Sequence, residues 1–435
     1  MKKFLALALA LSLCLLLGMT SFAAAEATPT KLTLWTFIAQ HDTYYYGMAD
    51  DWNAAHPDEP IELECVTLGY DDMHNKFKVA LAASGEGAPD IVDVELGQFP
   101  NILAYSDYLV PMDEYLGDLK NDLVEARLKI YSKGGVIYGV PYHVGATVTF
   151  YNVDLLDAAG IDYTAIKTWD DWREAGLKLK AANPGVYMGN VETTANWQAG
   201  LMLTQLDSEF QDNSDESNPV PTINTEAMLK LIQTQQGWLN DGIAVTCPGG
   251  QVDTEEGKAW VATGVCASVT MPLWYMSRFV DEIGENCKGK YAIAPSPVFE
   301  EGQNQSVGGG GTGTVVCNAN ANADLAARFV VFAKGTKEAN IKIWEDLGFD
   351  PCNKEVWTMT EVTHNPENKY NQYFVTNAFD TLLAINEVGF VASTSISPTI
   401  NTYLVSTLWN EVYVDMADAA TALEEAQEAI ESELF

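Results

Sequence analysis

The sequence predicts an α/β fold built of doubly wound lobes. Three observations carry that expectation. Strands and helices alternate between Lys31 and Val94, and the alternation resumes beyond Thr168. The 435 residues also suffice for two domains of ordinary size with substantial cores.

The chain opens on Lys2 and Lys3, an apolar run from Phe4 to about Gly18, and the small residues around Ala23-Ala24-Ala25. That order predicts a secretory signal peptide over residues 1–25, cleaved near Ala25. The run is shorter than the roughly 20 residues a spanning helix needs. Cys14 raises the question of a lipid anchor, but Leu13 stands where such signals carry a small residue. Plain cleavage is expected, placing the chain in the periplasm or at the outer face of the cell membrane.

Lys31–Phe37 alternates apolar with polar positions and predicts the first strand. Tyr45, Met48, Trp52 and Ala55 then recur at helical spacing until Pro57 and Pro60 stop the helix. Ile61–Thr67 predicts a second strand. Residues 71–84 predict a helix buried through Met73, Phe77, Ala80 and Leu81, with Gly85 as its cap. Residues 89–94 predict a short apolar strand of the kind found in parallel sheets. Val136–Val140 and Ala146–Tyr151 are two apolar segments around Pro141, Tyr142, His143 and Gly145. By themselves they read as two buried strands about a bend, or as a crossing between lobes.

Thr168-Trp169-Asp170-Asp171 has the form of a capping box and opens a helix buried through Trp172, Ala175 and Leu179. Residues 208–222 are polar and predict a loop. A helix over residues 224–240 carries Met228, Leu231, Ile232 and Trp238 inward. Residues 265–270, 290–297 and 314–317 predict strands, residues 322–335 a helix, and 419–434 a closing helix with Leu423, Ala426, Ile430 and Leu434 as its apolar stripe.

Sixty acidic against 24 basic residues give a formal charge of −36, and loss of Lys2 and Lys3 takes it to −38. Such a field repels nucleic acid and anionic membrane, so neither is expected as a partner. The six cysteines beyond residue 25 are scattered, with no C-x-x-C pair and no histidine at zinc spacing, so no metal site is expected. Gly308–Gly313 matches G-x-G-x-x-G as text, but it opens a strand rather than a helix, which rejects a dinucleotide loop. No cofactor is expected.

Asp93 and Glu95, just after a strand, are the most suggestive carboxylates for acid–base chemistry; a glycosidase would hold two such groups roughly 5–10 Å apart. No Gly-x-Ser-x-Gly occurs. Aromatic residues at strand ends and in loops point elsewhere: Trp35, Phe37, Tyr142, His143, Trp197, Trp274 and Tyr275. Sugars have apolar C–H faces that stack on rings and hydroxyls that need fixed polar partners. With Gln40, Glu95 and Gln98 as polar contacts and the backbone of Gly309, Gly310 and Gly311 close by, these residues form the candidate carbohydrate site. Trp52, Trp169, Trp172, Trp238 and Trp260 are assigned to cores.

Six stretches carry a resemblance in a fixed order: residues 32–35 (LTLW), 82–92 (AASGEGAPDIV), 109–116 (LVPMDEYL), 137–141 (IYGVP), 150–152 (FYN) and 168–171 (TWDD). In these the chain resembles the family 1 extracellular solute-binding proteins, sugar-capturing components of ABC importers related to maltose-binding protein. Residues 272–279 (PLWYMSRF), 294–299 (APSPVF) and 308–314 resemble the lactose and arabinose or arabino-oligosaccharide binders within that family.

The resemblance implies a two-lobed class II periplasmic-binding-protein fold with the ligand in the cleft between lobes. The first lobe is expected at 26–142 plus 314–355 and the second at 143–313 plus 356–435. It also implies a non-enzymatic monomer that closes on sugar and is recognised by the importer's permease subunits. Two other readings stay open here: a secreted glycoside hydrolase, and the same fold around a non-sugar solute such as a polyamine.

Overall fold

The computed structural model describes residues 27–434 apart from 216, 217, 386 and 392. The leader expected over residues 1–25 lies outside the described residues. The chain forms two α/β lobes, each built on its own sheet.

The first sheet has the order Ile61–Thr67, Thr30–Thr36, Ile91–Glu95, Thr312–Val316, Val140–Pro141. Its first two pairings are parallel, and its last two are antiparallel. Leu32, Leu34 and Thr36 alternate inward along the first strand, as the period of two requires. The helices Ala39–Ala55 and Ala323–Lys334 cover one face, where the Trp52 ring meets Phe329 and Phe332 edge-on at 6.1 and 5.4 Å. Tyr70–Ala82 packs through Met73, Phe77 and Leu81 against Val92, Val94 and Val315.

The second lobe centres on Thr147–Asn152, buried along its whole length between the antiparallel strands Ser268–Pro272 and Tyr291–Ala294. Gly189–Val191 runs parallel to Ala244–Thr246 beside them. The capping box at Thr168 forms as read: its side chain accepts from the Asp171 amide, and the Asp171 carboxylate accepts from the Thr168 amide. The helix it starts, Trp169–Ala182, joins Trp169 and Trp172 to Trp238 at ring distances of 5.3 and 4.5 Å. Such pairs each add about 0.5–1.5 kcal/mol beyond burial.

The chain passes between the sheets at Tyr142–Ala146 and again at Gly309–Gly311, where Gly310 and Gly311 adopt φ of +63° and +103°. A third pass at Phe349–Cys352 braces the first, since the Asp350 carboxylate accepts from the Gly145 and Ala146 amides at 3.1 and 2.8 Å. Burial pushes the Asp350 carboxyl up to about 7, against the pull of those amides. The first and second passes meet where the Gly309 amide donates to Gly145 O at 2.8 Å.

Arg127, wholly buried, spans them both. Its Nε donates to His143 O at 3.0 Å and its Nη2 to Gly310 O. Beyond the third pass, Phe379 packs on Trp344 of the first lobe while Phe374 packs on Phe150 and Phe279 of the second. The segment therefore touches both lobes.

Candidate binding cleft between the lobes

A cavity of about 750 Å³ lies between the two sheets, with the passes at its back. That volume suits a ligand larger than one sugar ring. The first lobe contributes Phe37, Tyr70, Glu95 and Gln98; the second contributes Trp197, Trp274 and Arg278; His143 and Gly308–Gly311 form the back wall.

Trp274 follows the Ser268–Pro272 strand and is 8% exposed, its indole N–H donating to Gly309 O at 3.0 Å. Trp197 opens the helix Trp197–Gln205 and donates its indole N–H to Gln251 Oε1 at 3.0 Å. The two rings meet edge to face at 5.5 Å and 72°, forming an apolar corner. A Cβ built on Gly310 would lie 3.3 Å from both rings, so glycine lets this backbone reach the corner.

Opposite stands Glu95, at the end of its strand. Its Oε2 accepts from Tyr70 OH at 2.9 Å and from the Gly97 amide at 2.6 Å. Burial pushes its carboxyl above the usual carboxylate range, although those donors oppose it. Arg278 sits 5.4 Å over the Trp274 ring, with its Nε donating to Asp253 Oδ1 at 2.8 Å. Burial lowers the pKa of both His41 and His143, so neither adds charge to the cleft at neutral pH.

Four of the residues read from sequence stand off this wall. Trp35 points to the opposite face of its strand, toward Asn75, Val79 and Ala83 of the outer helix, because Leu34 and Thr36 take the inward positions. Tyr142 is wholly buried, its ring tilted 33° against His41 at 4.2 Å and lying under the Lys334 ammonium at 3.4 Å. Tyr275 is also wholly buried and donates to Val252 O at 2.8 Å, because the turn that shows Trp274 to the cleft turns its neighbour inward. Gln40 lies outside the cavity and joins the lobes instead: it accepts from Arg278 Nη1 at 3.2 Å and donates to Asp281 Oδ2 at 3.0 Å.

Asp93 and Glu95 do not work as a pair. Asp93 is sealed behind the cleft, accepting from Tyr45 OH at 2.8 Å, Thr314 Oγ1 at 2.6 Å and Thr36 Oγ1 at 3.2 Å, with His41 Nδ1 at 2.9 Å and Lys334 at 3.9 Å. Burial would raise its carboxyl, but Lys334, His41 and the hydroxyls prevail and hold it at about 2. Burial draws Lys334 down to about 7.

Sequence reasoning missed Arg127, Asp253, Arg278 and the rim residues Ser393 and Asn401. Ser393 Oγ donates to Leu96 O at 3.1 Å across the cleft mouth. The chain has only four arginines, each a fixed cation, and that scarcity is the one signal the sequence carries for Arg127 and Arg278.

Residues 38–340 match the family of bacterial extracellular solute-binding proteins. The arabinooligosaccharide-binding protein of Bacillus subtilis is 39% identical over 396 residues, covering 89% of this chain and 89% of that protein. The chain belongs to this family of solute-binding proteins. The arabinooligosaccharide-binding protein of Halalkalibacterium halodurans is 36% identical, covering 93% of this chain and 90% of that protein.

Among solved structures, the GacH receptor of Streptomyces glaucescens superposes with a TM-score of 0.74 at 18% identity, over 92% of this chain and 97% of that one. A binding protein of B. animalis subsp. lactis, solved with β-1,6-galactobiose, gives 0.74 at 19% identity over 93% and 97%. These solute-binding proteins share the two-lobed fold found here. Membership of an extracellular family makes this an exported binding component of a transport system.

Proposed function

We propose that this protein captures a neutral oligosaccharide of the arabino-oligosaccharide class by closing its lobes, and delivers it to the permease of an ABC importer. The observation that carries the reading is the Trp197–Trp274 corner facing Glu95 and Gln98 across one cavity. Rings take the apolar faces of a sugar while fixed acceptors take its hydroxyls. The two relatives named above for arabinooligosaccharide binding, each spanning nearly the whole chain, support the sugar class. Among the residues that line the cavity, the histidines are neutral and Arg278 is paired with Asp253, which suits an uncharged ligand.

The protein acts as a monomer, without catalysis and without nucleic acid. Its Asp93 carboxylate is walled off from the cleft, so Asp93 and Glu95 do not frame a glycosidic bond between them. Cleavage near Ala25 releases it without a lipid at Cys14, and the mass of the mature N-terminus checks that point.

Calorimetric titration with arabinose, arabinotriose and longer arabino-oligosaccharides tests the function, with lactose and spermidine as further arms. Stoichiometric binding of intact arabino-oligosaccharide is expected. New reducing ends would show a hydrolase, and binding of spermidine alone would show a different solute.

A further inference from the structure

The helix that presents Trp197 to the cleft begins without a side-chain cap of its own. Its N-cap residue is Asn196, a type that normally accepts a hydrogen bond from an amide of the first turn. Here both ends of the Asn196 side chain are spent elsewhere. Its Oδ1 accepts from the Trp409 indole at 2.6 Å, and its Nδ2 donates to Asn401 Oδ1 at 2.9 Å. An uncapped helix start within a lobe would leave amides without partners.

Glu192 fills the role from a distance of several residues. It lies just past the Gly189–Val191 strand and is 4% exposed, and its Oε2 accepts from the Gln198 amide at 3.0 Å. The Trp197 amide faces the same carboxyl. Its other oxygen, Oε1, is buried with no partner among the described residues, as is the hydroxyl of Tyr413 on the Trp409–Tyr413 helix.

We propose that Glu192 is a positioning residue for the solute site: seated on the first-turn amides of the Trp197 helix, it sets where the Trp197 ring stands against Trp274 and the glycine crossing. The proposal rests on the reading of Trp197 as a solute contact. The ring is thus held at two points, by Gln251 at its indole nitrogen and by Glu192 at its main chain. The tolerance is small, because a Cβ on Gly309 or Gly310 would already come within 3.3 Å of the Trp197 ring.

Burial raises the Glu192 carboxyl to about 8, with the two amides opposing. The titratable groups whose electrostatics feel it, Tyr413 and Cys247, are themselves pushed up by burial and stay neutral. A carboxylic acid at this place is therefore closely imitated by an amide, which also offers one acceptor and one donor end.

The test labels the mature protein with 5-fluorotryptophan and assigns the Trp197 resonance from Trp197→Phe. Glu192→Gln keeps the acceptor, and it is expected to leave the Trp197 signal in place and arabinotriose affinity within about twofold. Glu192→Leu keeps the volume and removes the acceptor. It is expected to shift or broaden the Trp197 signal and to weaken affinity about tenfold, but to change nothing further in a Trp197→Ala background. Should the leucine variant not fold, Glu192→Asp takes its place with the same expected outcomes.

An unmoved Trp197 signal, an equal loss with and without Trp197, or a glutamine variant as impaired as the leucine one would each overturn the proposal. Absence of arabinotriose binding by the wild type would count against the proposed solute, and the fluorine spectrum would still decide the role of Glu192.

Discussion

The indole N–H of Trp274 donates to the carbonyl of Gly309 at 3.0 Å, tying the principal ring of the cleft to one of the crossings between lobes. Under the proposed reading, a solute stacked on Trp274 would press on a residue whose backbone belongs to one of these crossings. Replacing Trp274 by Ala should weaken solute binding by about 2–4 kcal/mol, the range of a buried aromatic anchor. Trp274→Phe keeps a ring but loses the hydrogen bond, and should cost about 1 kcal/mol. Calorimetry that found both variants at wild-type affinity would remove Trp274 from the site.

Gly311 has φ of +103°, and a Cβ there would collide with the Arg127 guanidinium. Gly311→Ala combines backbone strain with displacement of a buried cation. The expected loss is about 3 kcal/mol in urea denaturation. Gly302→Ala, at φ of +95° with nothing near its Cβ, carries the strain alone and should lose less.

Gln40 bridges the lobes through Arg278 and Asp281 at the cleft rim. Gln40→Ala should enlarge the ligand-free radius of gyration measured by X-ray scattering. It should also speed solute release roughly fivefold to 150-fold, since each of the two bonds contributes about 0.5–1.5 kcal/mol to the closed form. An unchanged release rate would show that closure is held elsewhere.

Asp93 carries a pH prediction with a definite sign. Its carboxyl lies at about 2 in the folded chain against an ordinary 3.8. The stability it contributes is present above about pH 4 and is lost as pH falls toward 2, amounting to about 2 kcal/mol. In Asp93→Asn that part of the acid limb should flatten. The variant should also be less stable by about 2 kcal/mol near pH 7, because Tyr45, Thr314 and Thr36 lose a charged acceptor. Urea midpoints collected from pH 7 to pH 2 would test both statements.

Much of the fold was legible in the sequence because it rests on local periodicity. The strand at Thr30–Thr36, the helix at Tyr70–Ala82 and the capping box at Thr168 each announce themselves within a dozen residues. The cleft was legible only in part, because sequence names a ring without its direction. Trp274 and Tyr275 are neighbours of similar chemistry, yet one faces the cavity and the other donates to Val252 inside the core. Trp35 and Leu34 show the same ambiguity across a strand.

Arg127 and Glu192 left no periodic trace. Their partners lie in other elements: Arg127 meets Gly310, 183 positions along the chain, and Glu192 meets the start of a helix whose own cap is occupied by Trp409. Only tertiary packing reveals such roles.

The Ile91–Glu95 strand is paired on one side by Thr312–Val316, which the ribosome makes about 200 residues later. Until that late strand emerges, the first sheet has an open edge of unmet N–H and C=O groups. The two lobes cannot be finished one after the other: the early lobe is completed only after the long middle portion of the later one has been synthesised. The order of synthesis thus builds in a delay during which the chain is still incompletely folded, and an export route that threads unfolded polypeptide could use that interval.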